Sequence, residues 1–209
     1  MRVIAIDGPA GSGKSTVARA LAERLGLRYL DTGAMYRAVA FAALRADVDP
    51  DDADLVGALA RNTAIDVGER VTVDGIDATV EIRGPEVTRA VSAVAANPIV
   101  RMEMRTRQQA WADSNGGGVI EGRDIGSVVF PDAELKVYLT AEPDARAARR
   151  AKEVSNLSYE KVATDIARRD ALDQEREHNP LVEAPDAVVV DTTSKSVDEV
   201  VDEVMGRLR

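Results

Sequence analysis

The stretch Ile6–Gly26, IDGPAGSGKSTVARALAERLG, decides how the rest of the chain is read. Gly8, four residues, then Gly13-Lys14-Ser15 is the spacing of a loop that cradles phosphates, and both flanks the pattern requires are present. Before it, Val3-Ile4-Ala5-Ile6 is a short apolar run suited to a parallel strand buried on both faces. After it, Val17, Leu21 and Leu25 recur every four residues, and Gly26 supplies a helix stop. The loop Gly8, Pro9, Ala10, Gly11, Ser12 and Gly13, with Lys14, Ser15 and Thr16 opening the helix, is therefore expected to enclose a triphosphate. Backbone amides and the helix dipole would do the holding, and the glycines permit the close approach. Lys14 would neutralise the outer phosphates, and the Ser15 hydroxyl would ligate magnesium.

Outward from that unit the alternation continues. LRYL (27–30) reads as a second strand, and Asp31-Thr32-Gly33 turns the chain into a helix that ends near Asp47 and Pro50. From about Asp51 to Ser92 the character changes. A helix around Leu55 and Leu59 leads to AIDV (64–67), VTVD (71–74) and IDATVEI (76–82), broken by Gly68 and Asp74-Gly75, which predicts a small antiparallel meander. Asn97-Pro98 opens a helix running to Trp111, with asparagine as cap and proline in the first turn. After SNGGG (114–118) come the strands VIE (119–121), LKVYLT (135–140) and AVVVD (187–191), an arginine-rich helical segment separating the last two. Ser196 to Glu199 is a capping box for a final helix. The whole predicts a doubly wound parallel sheet.

Composition bounds the function. The 209 residues, 45% apolar, fit one domain with an insert and a sizeable core. A net charge of -9 disfavours nucleic acid or anionic lipid as partner, so an anionic small molecule needs a local basic pocket. The absence of cysteine excludes disulfides, thiolate metal sites and a thiol nucleophile. No run approaches the roughly 18 apolar residues of a membrane span, and MRVIAI is too short for a signal-peptide core. A cytoplasmic location is expected.

Which basic residues converge is not settled by pattern. In IARRDALDQEREHNP (166–180), Arg169, Asp173 and Arg176 share one face if the helix runs that far, and an exposed salt-bridge ladder has the same spacing. Arg146, Arg149 and Arg150 would line a nucleotide pocket or decorate a helix, and Thr32 and Arg37 would be a site pair or a cap and a surface charge. Glu121 is the nearest candidate for a second acidic group beside the phosphate loop, although Arg123 and Asp124 directly after it point to recognition of a second molecule. His178, beside Asn179-Pro180, has no serine or ligand constellation around it and is assigned no role.

Four motifs in order, IDGPAGSGKST (6–16), DTGAMYR (31–37), GRDIGSVVFPDA (122–133) and RRDALDQER (168–176), make nearly the full chain resemble the bacterial cytidylate kinase family. The first motif belongs to a superfamily; the second and third are far more specific. The resemblance implies an α/β P-loop kinase fold: a central parallel five-stranded sheet flanked by helices, a small antiparallel insert for the nucleoside monophosphate, and a short, mobile lid. It implies a single domain over 1–209, with core 1–50, 93–145 and 166–209, insert about 51–92 and lid about 146–165, SNLS (155–158) at the lid's middle. The implied reaction is phosphoryl transfer from ATP, with magnesium, to CMP or dCMP, by a monomer.

Carried over by motif, Thr32 and Arg37 would hold the acceptor phosphate, while Ser92, Arg101 and Asp124 would face cytosine beside Gly122 and Arg123. Arg169, Asp173 and Arg176 would bind the sugar and phosphate side or neutralise the transferring group. Lys14, Arg37, Arg123, Arg169 and Arg176 are thus the expected catalytic set. Arg149 and Arg150 would contact ATP from the lid, and Thr192 and Thr193 would border adenine. Two rivals stay open on the residues alone: another small-molecule P-loop kinase, acting on shikimate, dephospho-coenzyme A or a sugar acid, and a nucleotide switch with no transfer activity.

Overall fold

The computed structural model describes residues 1–153 and 158–208. In chain order the elements are β1 (Arg2–Asp7), α1 (Lys14–Leu25), β2 (Tyr29–Asp31), α2 (Thr32–Arg45), α3 (Ala53–Asn62), β3 (Ile65–Val67), β4 (Val71–Val73) and β5 (Ile76–Asp77). There follow α4 (Pro85–Ala96), α5 (Pro98–Asn115), β6 (Gly117–Glu121), β7 (Leu135–Thr140), α6 (Pro143–Glu153), α7 (Tyr159–Gln174), β8 (Val188–Asp191) and α8 (Val197–Met205). The chain divides into two compact units, Met1–Tyr29 with Asn115–Arg209, and Leu30–Ser114. The segment expected as an insert, about 51–92, lies in the second unit together with α2 and nearly all of α5. The expected lid segment lies in the first, and Ser155, Asn156 and Leu157 of its SNLS stretch fall outside the described residues.

The central sheet is five-stranded, ordered β2-β6-β1-β7-β8. β1 runs parallel to both β6 and β7, and β7 parallel to β8. Val3 to Asp7 are all buried, which is why the apolar run of β1 is continuous rather than alternating. Val17 and Leu21 of α1 and Val200, Val201 and Val204 of α8 close over Ile4, Val119, Val137 and Leu139. Each such side chain contributes about 1.5–3 kcal/mol by leaving water. Gly117 and Gly118, read from sequence as part of a loop, belong to β6. A Cβ on Gly117 would stand 2.0 Å from the Arg2 carbonyl oxygen, so the close approach of β1 demands glycine there.

In the second unit, Ala34, Ala38 and Ala42 of α2 pack against Val71, Val73 and Ile82. β3-β4-β5 form the expected antiparallel meander, with Asp74 and Gly75 at positive φ (50° and 79°) in the turn between β4 and β5. Its third piece is a correction. Only Ile76–Asp77 is strand, because Asp77 turns the chain by accepting from the Thr79 N–H and hydroxyl. A 3-10 turn, Glu81–Arg83, then buries Ile82. α4 was not expected, although Pro85 at its first turn and the buried stripe Val87, Ala90, Val91 and Val94 are helix signals. Asn97 caps α5 as expected, its Oδ1 accepting from the Ile99 N–H at 2.9 Å, and the helix continues past Trp111 to Asn115. Among the described residues no helix is long and apolar enough to cross a membrane.

Candidate active site

In the first unit, the parallel register pairs Ile6 with Glu121, so the loops that follow β1 and β6 start side by side. The β1 loop turns on Gly8, Gly11 and Gly13, at φ 147°, 74° and 90°. A Cβ on Gly8 would lie 2.1 Å from the Leu139 carbonyl oxygen, which leaves glycine as the residue that fits. Gly13 precedes α1 without any side-chain cap, so the first N–H groups of the helix have no intrahelical acceptor and remain available to an anion. Lys14 folds back over the loop, donating to the Pro9 carbonyl at 2.7 Å.

Glu121 is the acidic partner of this loop. Its Oε2 accepts from the Ser15 hydroxyl at 3.0 Å, and its Oε1 accepts from the Tyr29 hydroxyl. A hydroxyl and a carboxylate brought together are hard oxygen donors, and magnesium is held by one or two carboxylates together with substrate phosphates and waters. The pair therefore fits magnesium arriving with a nucleotide. Among the described residues no group of three or more His, Asp or Glu forms a protein-only metal cage.

Directly after Glu121 the chain makes a π-helical turn, Ile125–Val129. Asp7 fixes its start, accepting from the N–H groups of Ile125 at 2.9 Å and Gly126 at 2.8 Å. Burial pushes the Asp7 carboxyl up to about 6 against those two hydrogen bonds. On the same loop Arg123 Nε donates to Asp173 Oδ2 of α7 at 2.9 Å, while Gly122 donates to the Ile6 carbonyl and Asp124 is buried.

The cations of this unit converge. Burial and then the charge of Arg123 lower Lys14 to about 7, with Arg169 adding to the effect and Glu121 opposing it. Arg169 is lowered to about 10, again by burial first and Arg123 second. Burial would lower Arg123 too, but Asp173, with Asp170 and Glu121 adding to it, offsets that and the guanidinium is held above its ordinary value. Asp173, which burial alone would raise, is held low by Arg123, Arg169 and Arg176. The exposed-ladder alternative is thereby corrected: the Arg176 and Asp173 side chains are 6% and 8% exposed, and Arg176 stands beyond the end of α7.

Arg149 of α6 donates to the Thr192 hydroxyl at 2.8 Å and to the Thr193 carbonyl at 3.4 Å, and the Thr192 hydroxyl lies 2.9 Å from the Ser12 carbonyl that accepts from it. Ser12, Arg149 and Thr192 wall a cavity of about 230 Å³ with Gly13, Thr16 and Lys195. Arg150 lies close enough to Arg169 to depress it. Two residues at the loop were not singled out from sequence: Asp170, which accepts from the Ala10 N–H, and Glu121's partner Tyr29. Neither bond follows from local spacing, since both depend on how distant segments pack.

In the second unit, α2 is capped by Asp31, whose Oδ1 accepts from the Ala34 N–H, so Thr32 is not the cap but a buried residue of the first turn. Arg37 is not a surface charge. Its Nη1 donates to the Ile82 carbonyl at 2.9 Å and the Thr88 hydroxyl at 3.0 Å. Arg101, buried on α5, donates to the Ala95 carbonyl and stacks over the Tyr36 ring at 5.4 Å. Ser92 is half-buried on α4.

The cytidylate kinase family model matches residues 4–209. A cytidylate kinase of Geobacillus kaustophilus is 52% identical across 97% of this chain and 94% of its own length, and one of Mycobacterium avium is 48% identical across 99% and 95%. Among solved structures, an uncharacterized protein from Eubacterium ventriosum has a TM-score of 0.56 at 12% identity, covering 100% of this chain and 98% of that one. A Thermus thermophilus protein has a TM-score of 0.51 at 21% identity over 100% and 98%. At those identities the two structures speak for the fold alone.

Proposed function

Because this chain belongs to the cytidylate kinase family, we infer that it transfers the γ-phosphoryl group of ATP to CMP or dCMP, giving ADP and CDP or dCDP. The observation that carries this is the convergence of Lys14, Arg123 and Arg169 beside a phosphate loop. Phosphoryl transfer asks little covalent chemistry of the protein and much positioning of anions with charge neutralised between them. An acceptor phosphate oxygen forms the new P–O bond as the β–γ bridge breaks, and ADP leaves with that bridging oxygen. The attacking oxygen is already anionic, so no strong base is required.

Each residue has a role in this reading. The amides of the loop and Lys14 hold the donor phosphates, and Arg149, with Arg150, borders ATP near Thr192 and Thr193. Ser15 and Glu121 hold magnesium, which supplies charge neutralisation on the phosphates. From the first unit Arg123, Arg169 and Arg176, set by Asp173, neutralise the transferring group and the acceptor. From the second unit Thr32 and Arg37 bind the acceptor phosphate. Ser92 and Arg101 from the second unit, and Asp124 with its chain neighbour Gly122 from the first, read cytosine: a carboxylate accepts from its amino group, whereas the uracil carbonyl would present a second acceptor. A cytoplasmic location, in keeping with small nucleotides as the substrates, and a monomeric state complete the reading.

The test is ADP formation from magnesium-ATP with CMP, dCMP, UMP, AMP, shikimate or no acceptor, in wild type and Arg123→Ala. Fast turnover with CMP and dCMP that collapses in the variant is expected. Turnover of shikimate without CMP, or no acceptor-dependent rate at all, would overturn it.

A further inference from the structure

Every group of one loop residue, Ala10, is taken up by α6 and α7. Its N–H donates to Asp170 Oδ1 at 3.1 Å, and its carbonyl accepts from Arg146 Nη1 at 3.1 Å. Its methyl packs on Ala147, Val162 and Ile166. Arg146 and Asp170 are also ion-paired with each other, their side chains only 12% and 10% exposed. The next residue is pressed from the same side, because a Cβ on Gly11 would stand 2.8 Å from the Arg146 carbonyl oxygen.

The residues that follow are built differently. No side chain caps α1, and the N–H groups of its first turn have no acceptor within the helix. The loop is thus split into an anchored part, from Ala10 to Ser12, whose N–H donates to the Pro9 carbonyl and whose carbonyl accepts from Thr192, and an open part, the first-turn N–H groups of α1. An unanchored glycine-rich loop would have to be ordered at the moment of binding, at a cost in affinity.

We propose that Arg146 and Asp170 are positioning residues of the donor site, a clamp on the N–H and the carbonyl of Ala10 that holds the open amides in the arrangement a triphosphate needs. They act through Ala10 and do not themselves bind the nucleotide. This rests on the ATP reading above and deepens it. Because the two side chains grip the same residue, through the peptides on either side of it, and each other, they form one device, and removing either releases it.

Calorimetric titration with magnesium-ADP and, separately, with CMP tests this on wild type, Arg146→Ala, Arg146→Lys, Asp170→Asn, Asp170→Ala and the Arg146→Ala/Asp170→Ala double variant, each checked by thermal melting. Arg146→Ala and Asp170→Ala are each expected to weaken ADP binding about tenfold or more, the scale of a lost charge-assisted hydrogen bond. Arg146→Lys, which keeps the charge but reaches one partner at a time, falls between. Asp170→Asn loses less than Asp170→Ala, since its amide oxygen still accepts from Ala10. The double variant should be no weaker than the worse single one, and Arg146→Ala should leave CMP affinity within about threefold, which a general loosening of the fold would not. Wild type that binds neither ligand defeats the kinase reading and this one with it. Wild-type binding matched by Arg146→Ala and Asp170→Ala overturns the clamp alone. Multiplicative losses in the double variant, or tighter ADP binding by Asp170→Asn, would overturn it too, the last by showing that Asp170 competes with phosphate.

Discussion

Lys14 should take up a proton when a nucleotide binds. Buried behind its own loop and facing Arg123, it titrates at about 7, whereas a bound diphosphate favours the charged amine. With that value, about nine-tenths of the lysines are neutral at pH 8 and about one-tenth at pH 6. Magnesium-ADP should therefore draw in about 0.9 proton at pH 8 and about 0.1 at pH 6, and affinity should fall about tenfold across that interval. Calorimetry in two buffers of different ionisation enthalpy reads the uptake directly. Phosphate groups titrate near 6, so at pH 8 the ligand itself is already deprotonated and contributes little. Arg123→Gln removes one cause of the depression and should move the uptake curve to higher pH. Uptake below about 0.2 proton at pH 8, or a curve that Arg123→Gln leaves in place, would refute the reasoning. Stability carries the matching sign. The unfolded chain keeps this proton to about the ordinary 10.5, so the folded state gains stability as pH rises from about 7 toward that value.

Three further outcomes follow from single contacts. Arg37→Ala should abolish most turnover and also cost about 1–3 kcal/mol of stability in urea melts, because the Ile82 carbonyl loses its charged donor. Asn97→Ala removes the cap of α5 and should lower stability by about 1 kcal/mol in the same assay, without changing nucleotide affinity. Asp7, whose carboxyl is raised to about 6 from 3.8, binds its proton more readily folded than unfolded, so stability should fall as pH rises between those values. Asp7→Asn should flatten that slope in melts at pH 4 to 6.5.

The glycine-rich loop after β1 was legible because its signals are local. Gly8, Gly13, Lys14 and Ser15 stand in one loop, and the strand and helix around them are fixed by short-range periodicity. Glu121 was less legible. Its bond to Ser15 spans 106 residues and exists only because β6 pairs with β1 in the register that sets Ile6 opposite Glu121. The arginines were ambiguous for the same reason: spacing along α7 cannot distinguish a solvated ladder from a buried cluster, and it is Asp173's bond to Arg123, 50 residues away, that decides. Gly117 shows the opposite limit. A run of three glycines looks like a loop until the backbone of a neighbouring strand is known to lie where a methyl would go.

Two carboxylates of α7 stand three residues apart and face different loops, Asp170 the one after β1 and Asp173 the one after β6. The phase of a single helix therefore links the two loops. Deleting one residue between them would rotate one against the other by about 100°, and no side-chain replacement could repair that. Sequence length is thus locked within that helix.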